Sequence, residues 1–224
     1  MTLQVYQQYI NDYKTNQGRK SYLYKGNFDR RDRKPMNTIA PTAVPRWKTA
    51  LNMIINPGEV VKNQMTKVPW PYSLMISGLS FTLFFLQTGL DLLRSGQTGV
   101  PIVILMAMLG LLYGTVGIAL LAVLVWALSQ AADRGLTMEW AISSFALGYS
   151  ATFVYALTGL IFSLTLGWKT AVAFGVTGVL WALRPNLFTI RQMSGERTAF
   201  SIAMTTLCGA ILLFGWALLG KFGA

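Results

Sequence analysis

The chain has 224 residues, of which 53% are hydrophobic and only 12% charged, and it carries 19 Lys/Arg against 8 Asp/Glu for a formal net charge of +11. One cysteine, Cys208, excludes an intramolecular disulfide and a cysteine-built metal site, and the absence of histidine removes the commonest metal ligand and neutral-pH proton shuttle. No metal or cofactor is expected.

Residues 1–45 read as a basic, extended arm. Residues 1–67 together hold 12 Lys/Arg against 4 Asp/Glu, most of the excess charge. Tyr6, Tyr9 and Tyr13 fall at spacings of three and four, which suits a short helix bearing a tyrosine stripe. Tyr22, Tyr24 and the cluster FDRRDRKP at 28–35 follow, and Pro35, Pro41 and Pro45 mark an extended linker. Alone, this composition cannot bury enough apolar surface to offset its ordering entropy. A partner protein is therefore expected to order it. Tyrosine and arginine tend to dominate interfaces, so Tyr6, Tyr9, Tyr13, Tyr22, Tyr24, Arg30, Arg31 and Arg33 are the expected contacts. Basic residues beside a bilayer also attract anionic lipid. Nucleic acid is not an expected partner of a membrane-tethered arm. The segment MTLQVYQQYINDYKTNQGRK has no apolar centre, so no cleavable signal peptide is expected.

Residues 46–67 read as short amphipathic helices lying on the cytosolic membrane surface. Trp47, Ala50, Leu51, Ile54 and Ile55 recur at helical spacing beside Arg46 and Lys48. In NPGE at 56–59, Asn56 supplies an N-cap, Pro57 a first helical position and Glu59 a capping-box acid. That predicts a second helix from Pro57 to about Thr66. Pro69 and Pro71 then break the chain.

From about Val68 the composition changes abruptly. No Asp, Glu, Lys or Arg occurs from Ser95 to Ala132 or from Thr198 to Gly220. A bilayer core is crossed by roughly 20 apolar helical residues. The pattern predicts an all-α polytopic membrane protein with five transmembrane helices, at about 71–93, 100–130, 140–166, 170–183 and 199–219. The second is longer than a bilayer needs and is expected to tilt or project. The fourth is short and barely crosses.

The basic arm places the N-terminus in the cytosol by the positive-inside rule, and five spans put the C-terminus outside. Arg184, Arg191 and Arg197 then fall inside. Trp70, Trp126, Trp140 and Trp181 are expected at the inner interface, and Trp168 and Trp216 at the outer.

Small residues recur at packing intervals: Gly110, Gly114 and Gly117 in the second span, and Gly159, Ser163 and Gly167 in the third. Lipid gives helices no hydrophobic reason to associate, so close backbone approach through small residues is the usual solution. These faces are expected either to pack within the bundle or to seat a partner helix. Cys208 reads as a small apolar packer. Asp91 is the one ionisable residue inside a predicted span, three residues from Arg94, and reads as a local ion pair. Tyr149, Thr152 and Tyr155 share one face of the third span, as a polar seam or as bonds to neighbouring helices. No nucleophile elbow, paired carboxylates or phosphate loop is found, so no enzyme is expected.

Several segments resemble the Yip family of Ypt/Rab-interacting five-span membrane proteins, bacterial branch. LGYSATFVYAL at 147–157 is similar to that family's Gly-Tyr-Ser segment, here Gly148, Tyr149 and Ser150. LWALR at 180–184 is similar to the Trp-containing end of its fourth span, and INPGEV at 55–60 to its Asn-Pro turn. The likeness covers residues 46–224. KVPWPYS stands where eukaryotic members carry Asp-Leu-Tyr-Gly-Pro, so Rab binding is not carried over. The resemblance implies a five-helix bundle that acts through other proteins.

The expected function is a non-enzymatic accessory or scaffold subunit of a larger membrane complex, in a bacterial inner membrane, with the arm gripping other subunits. A permease or lipid-handling component, perhaps beside an ATP-driven transporter, and a membrane-shaping protein are the alternatives.

Overall fold

The computed structural model of the protein describes residues 45–130 and 135–222. The arm contacts expected at Tyr6, Tyr9, Tyr13, Tyr22, Tyr24, Arg30, Arg31 and Arg33 lie outside the described residues. The fold is all-α. Five helices are long and apolar enough to cross a membrane: Trp70–Arg94, Val100–Ser129, Met138–Leu166, Ala171–Met193 and Thr198 onward to Phe222. Neighbouring spans run antiparallel. Trp70, Ser129, Met138, Met193 and Thr198 therefore share one face with residues 46–67, called here the arm-bearing face.

Burial separates centre from periphery. The apolar windows of the first and third spans are each 56% buried, against 28% for the second and fifth. The first span owes its central place to its sequence. Ser73, Ser77 and Ser80 occupy its arm-bearing half, and Phe81, Phe84 and Phe85 its middle, all buried. The serines let neighbouring backbones close in, and the rings fill the space beyond. Phe81 meets Tyr149 at 5.3 Å and Tyr113 at 5.5 Å between ring centroids, distances at which aromatic pairs attract beyond simple burial.

Gly110 and Gly114 seat the second span against the first. A Cβ on either would lie 2.5 Å from a main-chain oxygen, of Phe81 and of Ser77 respectively. These glycines are thus used inside the chain and are not an open seat for a partner helix. Gly117 does not share this contact: a Cβ there would meet only the Tyr113 ring of its own span, at 3.9 Å. Between them the helix widens into a π-helical turn over Tyr113–Gly117.

The third span is interrupted. Its two helices, Met138–Leu147 and Ser150–Leu166, meet at a turn formed by Gly148 and Tyr149. A break inside a bilayer frees carbonyls that lipid cannot satisfy. Here Ser150 Oγ donates to Leu147 O at 2.7 Å, and Tyr149 O accepts from the Phe153 N–H at 3.1 Å as the second helix begins.

The fourth span departs most from expectation. It is not a short segment ending at Leu183. It opens with a π-helical turn at Ala171–Val176 and continues through Pro185 to Met193. Its length is therefore enough to cross. The physical reason is that Ala182, Pro185, Asn186, Thr189, Ile190 and Met193 remain buried at helical spacing past the proline. Tertiary packing outweighs the local helix-breaking preference of Pro185. Arg184 lies within this helix, and Trp181 sits near its middle instead of at an interface.

The amphipathic helices form as Arg46–Ile55 and Pro57–Asn63, followed by a single 3₁₀ turn at Met65–Lys67. Thr49, Ala50 and Met53 of the first are buried. Asn56 makes no side-chain cap; its Nδ2 instead donates to Glu59 Oε2 at 2.9 Å, so the capping box is not formed.

Candidate functional site

Among the described residues, three places gather polar side chains from more than one span. The first is the turn between the third and fourth spans. Thr165 and Leu166 end the third span, and Gly167 reverses the chain at φ +68°, a left-handed conformation that glycine adopts without strain. Nothing lies within 4 Å of a Cβ built on Gly167, so it terminates a helix and does not pack against one. The first span supplies the clamp. Arg94 donates to Ser163 O at 2.6 Å, to Trp168 O at 3.0 Å and to Ser163 Oγ. Asp91 Oδ2 accepts from the Ala171 N–H at 2.8 Å, where the fourth span begins. The expected Asp91–Arg94 pair is present only loosely, at 3.9 Å. Both side chains chiefly satisfy main-chain groups at helix ends, where an anion suits free N–H groups and a cation suits free carbonyls.

The second place is the level of the third-span break. Tyr149 and Thr152 are both wholly buried. Thr152 Oγ1 donates to Gly178 O at 2.9 Å, joining the third and fourth spans. Tyr155 is half-buried against the Trp181 ring, 6.3 Å away between centroids. The three therefore do not form one open polar face. Around them, Ser144 and Thr189 hydroxyls meet at 2.9 Å and Ser73 and Ser143 hydroxyls at 3.1 Å. Gln87 Nε2 donates to Ala156 O. Gly159 fits the same seam: a Cβ there would lie 2.6 Å from Phe174 Cβ and 2.8 Å from Gln87 Oε1. Gln87 and Asn186 are both buried at this level and were not singled out from the sequence. Asn186 is buried directly after Pro185, with its Oδ1 pressed against Gly148. The signal available for it was the Pro-Asn pair inside an apolar run. Cys208 is buried and free, as a small packer should be.

The third place is on the arm-bearing face. A groove of about 680 Å³ runs between the start of the first span and the start of the third. Met65, Val68 and Trp140 are buried residues lining it, and Arg46, Lys67 and Glu139 contribute exposed charges. Among the described residues no three His, Cys, Asp or Glu side chains gather as a metal site would require.

The arrangement fixes what the bundle can do chemically. Its polar side chains tie spans together, and its outward apolar faces meet hydrocarbon or another apolar surface. Comparison with family models, with curated proteins and with solved structures returns no match for this chain.

Proposed function

We propose that this membrane-spanning protein is a non-enzymatic accessory or scaffold subunit of a larger membrane complex, similar in kind to the five-span Yip proteins. On this reading it resides in a bacterial inner membrane with its N-terminus in the cytosol, and the arm grips a partner through its tyrosines and arginines. The observation that carries the reading is the commitment of Asp91 and Arg94 to backbone at the third-to-fourth turn. Ionisable side chains within a membrane usually mark proton, ion or substrate paths. Here Asp91 and Arg94 hold helix ends, and Arg184, the cation within the fourth span, stands exposed. The peripheral spans meanwhile present broad apolar faces, with Leu120 64% and Phe214 67% exposed. Such faces suit lipid and neighbouring transmembrane helices alike.

The permease reading requires a wetted face along Tyr149, Thr152 and Tyr155. Burial of the first two and the Thr152–Gly178 bond favour a structural role for them. The small-residue seam at Gly110 and Gly114 is filled by the first span, which shifts the partner contact toward the arm and the peripheral faces.

The test is deletion of residues 1–45 from the tagged protein at native expression. The shortened chain is expected to insert normally and to lose its co-purifying membrane partner. Unchanged co-purification contradicts the role given to the arm.

A further inference from the structure

The groove on the arm-bearing face combines buried apolar residues with exposed charges. It sits where two spans begin, at Pro69–Trp70 and at Thr137–Trp140. That is the depth at which hydrocarbon gives way to headgroups, and tryptophan prefers it. Trp140 is buried and Trp70 is 44% exposed.

The neighbouring amphipathic helix adds an apolar face turned away from the bundle. Its bundle side carries Ala50 and Met53, both buried. Trp47, Leu51 and Ile55 recur every fourth residue and stay exposed, at 58%, 45% and 74%. Three large apolar side chains in one stripe, with Lys48 Nζ 5.6 Å from the Trp47 ring centroid, give this helix an outward apolar face suited to a lipid surface. Arg46, at the start of this helix, lines the groove.

Charge then selects the occupant. Arg46 and Lys67 face the groove with one carboxylate, Glu139. The balance is a single positive charge, which matches a phosphodiester monoanion. Arginine presents a planar fork suited to phosphate oxygens, and lysine a compact point charge. Glu139 is placed to accept a hydrogen bond from a headgroup hydroxyl. The groove's size lies within the range of small-ligand sites, roughly 300–1,000 Å³. Apolar Met65, Val68 and Trp140 suit the glycerol and upper acyl carbons. The basic arm, with 8 Lys/Arg against 3 Asp/Glu in residues 1–45, is a poorer match for a cationic groove.

We propose that this groove binds the headgroup of an acidic, hydroxyl-bearing glycerophospholipid of the adjacent leaflet, with Arg46 and Lys67 on the phosphodiester and Glu139 on the hydroxyl. The proposal concerns lipid recognition and does not depend on the accessory-subunit reading.

The experiment uses the full chain in nanodiscs holding equal phosphatidylglycerol and phosphatidylcholine, with native mass analysis of the lipids retained after mild release. The wild type retains phosphatidylglycerol preferentially. The R46Q/K67Q variant loses that preference by roughly thirtyfold, the scale set by two cations at about 1 kcal/mol each near a charged surface. K62Q/R197Q, which removes two cations from the same face outside the groove, keeps it. E139Q keeps phosphate binding and loses discrimination between phosphatidylglycerol and a methylated headgroup that lacks the hydroxyl. An unchanged preference in R46Q/K67Q overturns the proposal and leaves the groove to a protein segment. Equal loss in K62Q/R197Q also overturns it, by reducing the effect to general surface charge. Displacement of the lipid by millimolar inorganic phosphate would reassign the site to a free anion. Unfolding midpoints of the variants separate lost binding from lost folding.

Discussion

Arg94 donates to the main-chain oxygen of Ser163 at 2.6 Å, across 69 residues of sequence, and so ties the end of the first span to the last turn of the third. Its neighbour Asp91 does the same for the fourth span through the Ala171 N–H. One turn of one helix thereby holds the ends of two others. At a membrane boundary such groups are only partly hydrated, and a charge-assisted bond there is stronger than a neutral one.

Replacing Arg94 with alanine is expected to destabilise the bundle by about 2 kcal/mol, since hydrogen bonds to charged groups contribute about 1.5–3 kcal/mol and these three share one donor group. Lysine at the same position keeps the charge but not the fork, and recovers only part of the loss. Unfolding titration of both variants in detergent checks the order wild type, R94K, R94A. Equal stability of R94A and wild type would remove the clamp from the account.

The glycines of the second span should separate into two classes. Ala at Gly110 or Gly114 pushes a methyl group into main-chain oxygens of the first span at 2.5 Å, where only backbone movement can relieve it. Overpacking of this kind costs about 1–3 kcal/mol. Ala at Gly117 meets nothing closer than 3.9 Å and should be neutral or slightly stabilising. Thermal midpoints of the three single variants test this. A uniform response would contradict the packing described.

Two tyrosines in contact with Phe81 provide a further contrast. The Tyr113 hydroxyl donates to Leu212 O at 2.8 Å and links the second span to the fifth. The Tyr149 hydroxyl is buried beside Asn186, with no hydrogen bond of full geometry among the described residues. Tyr113→Phe should therefore cost about 1 kcal/mol. Tyr149→Phe should change stability by less than about 0.5 kcal/mol. If Tyr149→Phe proves the more damaging, the buried layer around Asn186 has a role the packing does not reveal.

Much of the fold was legible because a bilayer demands uninterrupted apolar length, which Ser95–Ala132 and Thr198–Gly220 display openly. The fourth span was cut short at Leu183 for a local reason. Arg184, Pro185 and Asn186 read as a helix end, yet Thr189, Ile190 and Met193 keep the buried stripe going beyond it. The site residues were less legible, because their partners are remote. Asp91 meets Ala171 across 80 residues, and nothing in the local pattern announces that bond. Gly167 shows the limit of periodicity. It recurs at i+4 from Ser163 and so reads as a packer, but its positive φ makes it a terminator. Gly110 and Gly114 recur at i+4, the spacing of close-approach positions. Which helix approaches them was settled only by the three-dimensional contacts.

The central claim is that the protein works as one subunit among others. The most direct measurement is the mass of the particle released from native membranes by a gentle detergent, with the bound components identified. The account predicts an assembly well above the 24.7 kDa of one chain, with a stoichiometric membrane partner that is lost when residues 1–45 are removed. A lone monomer or homodimer carrying only lipid would contradict it.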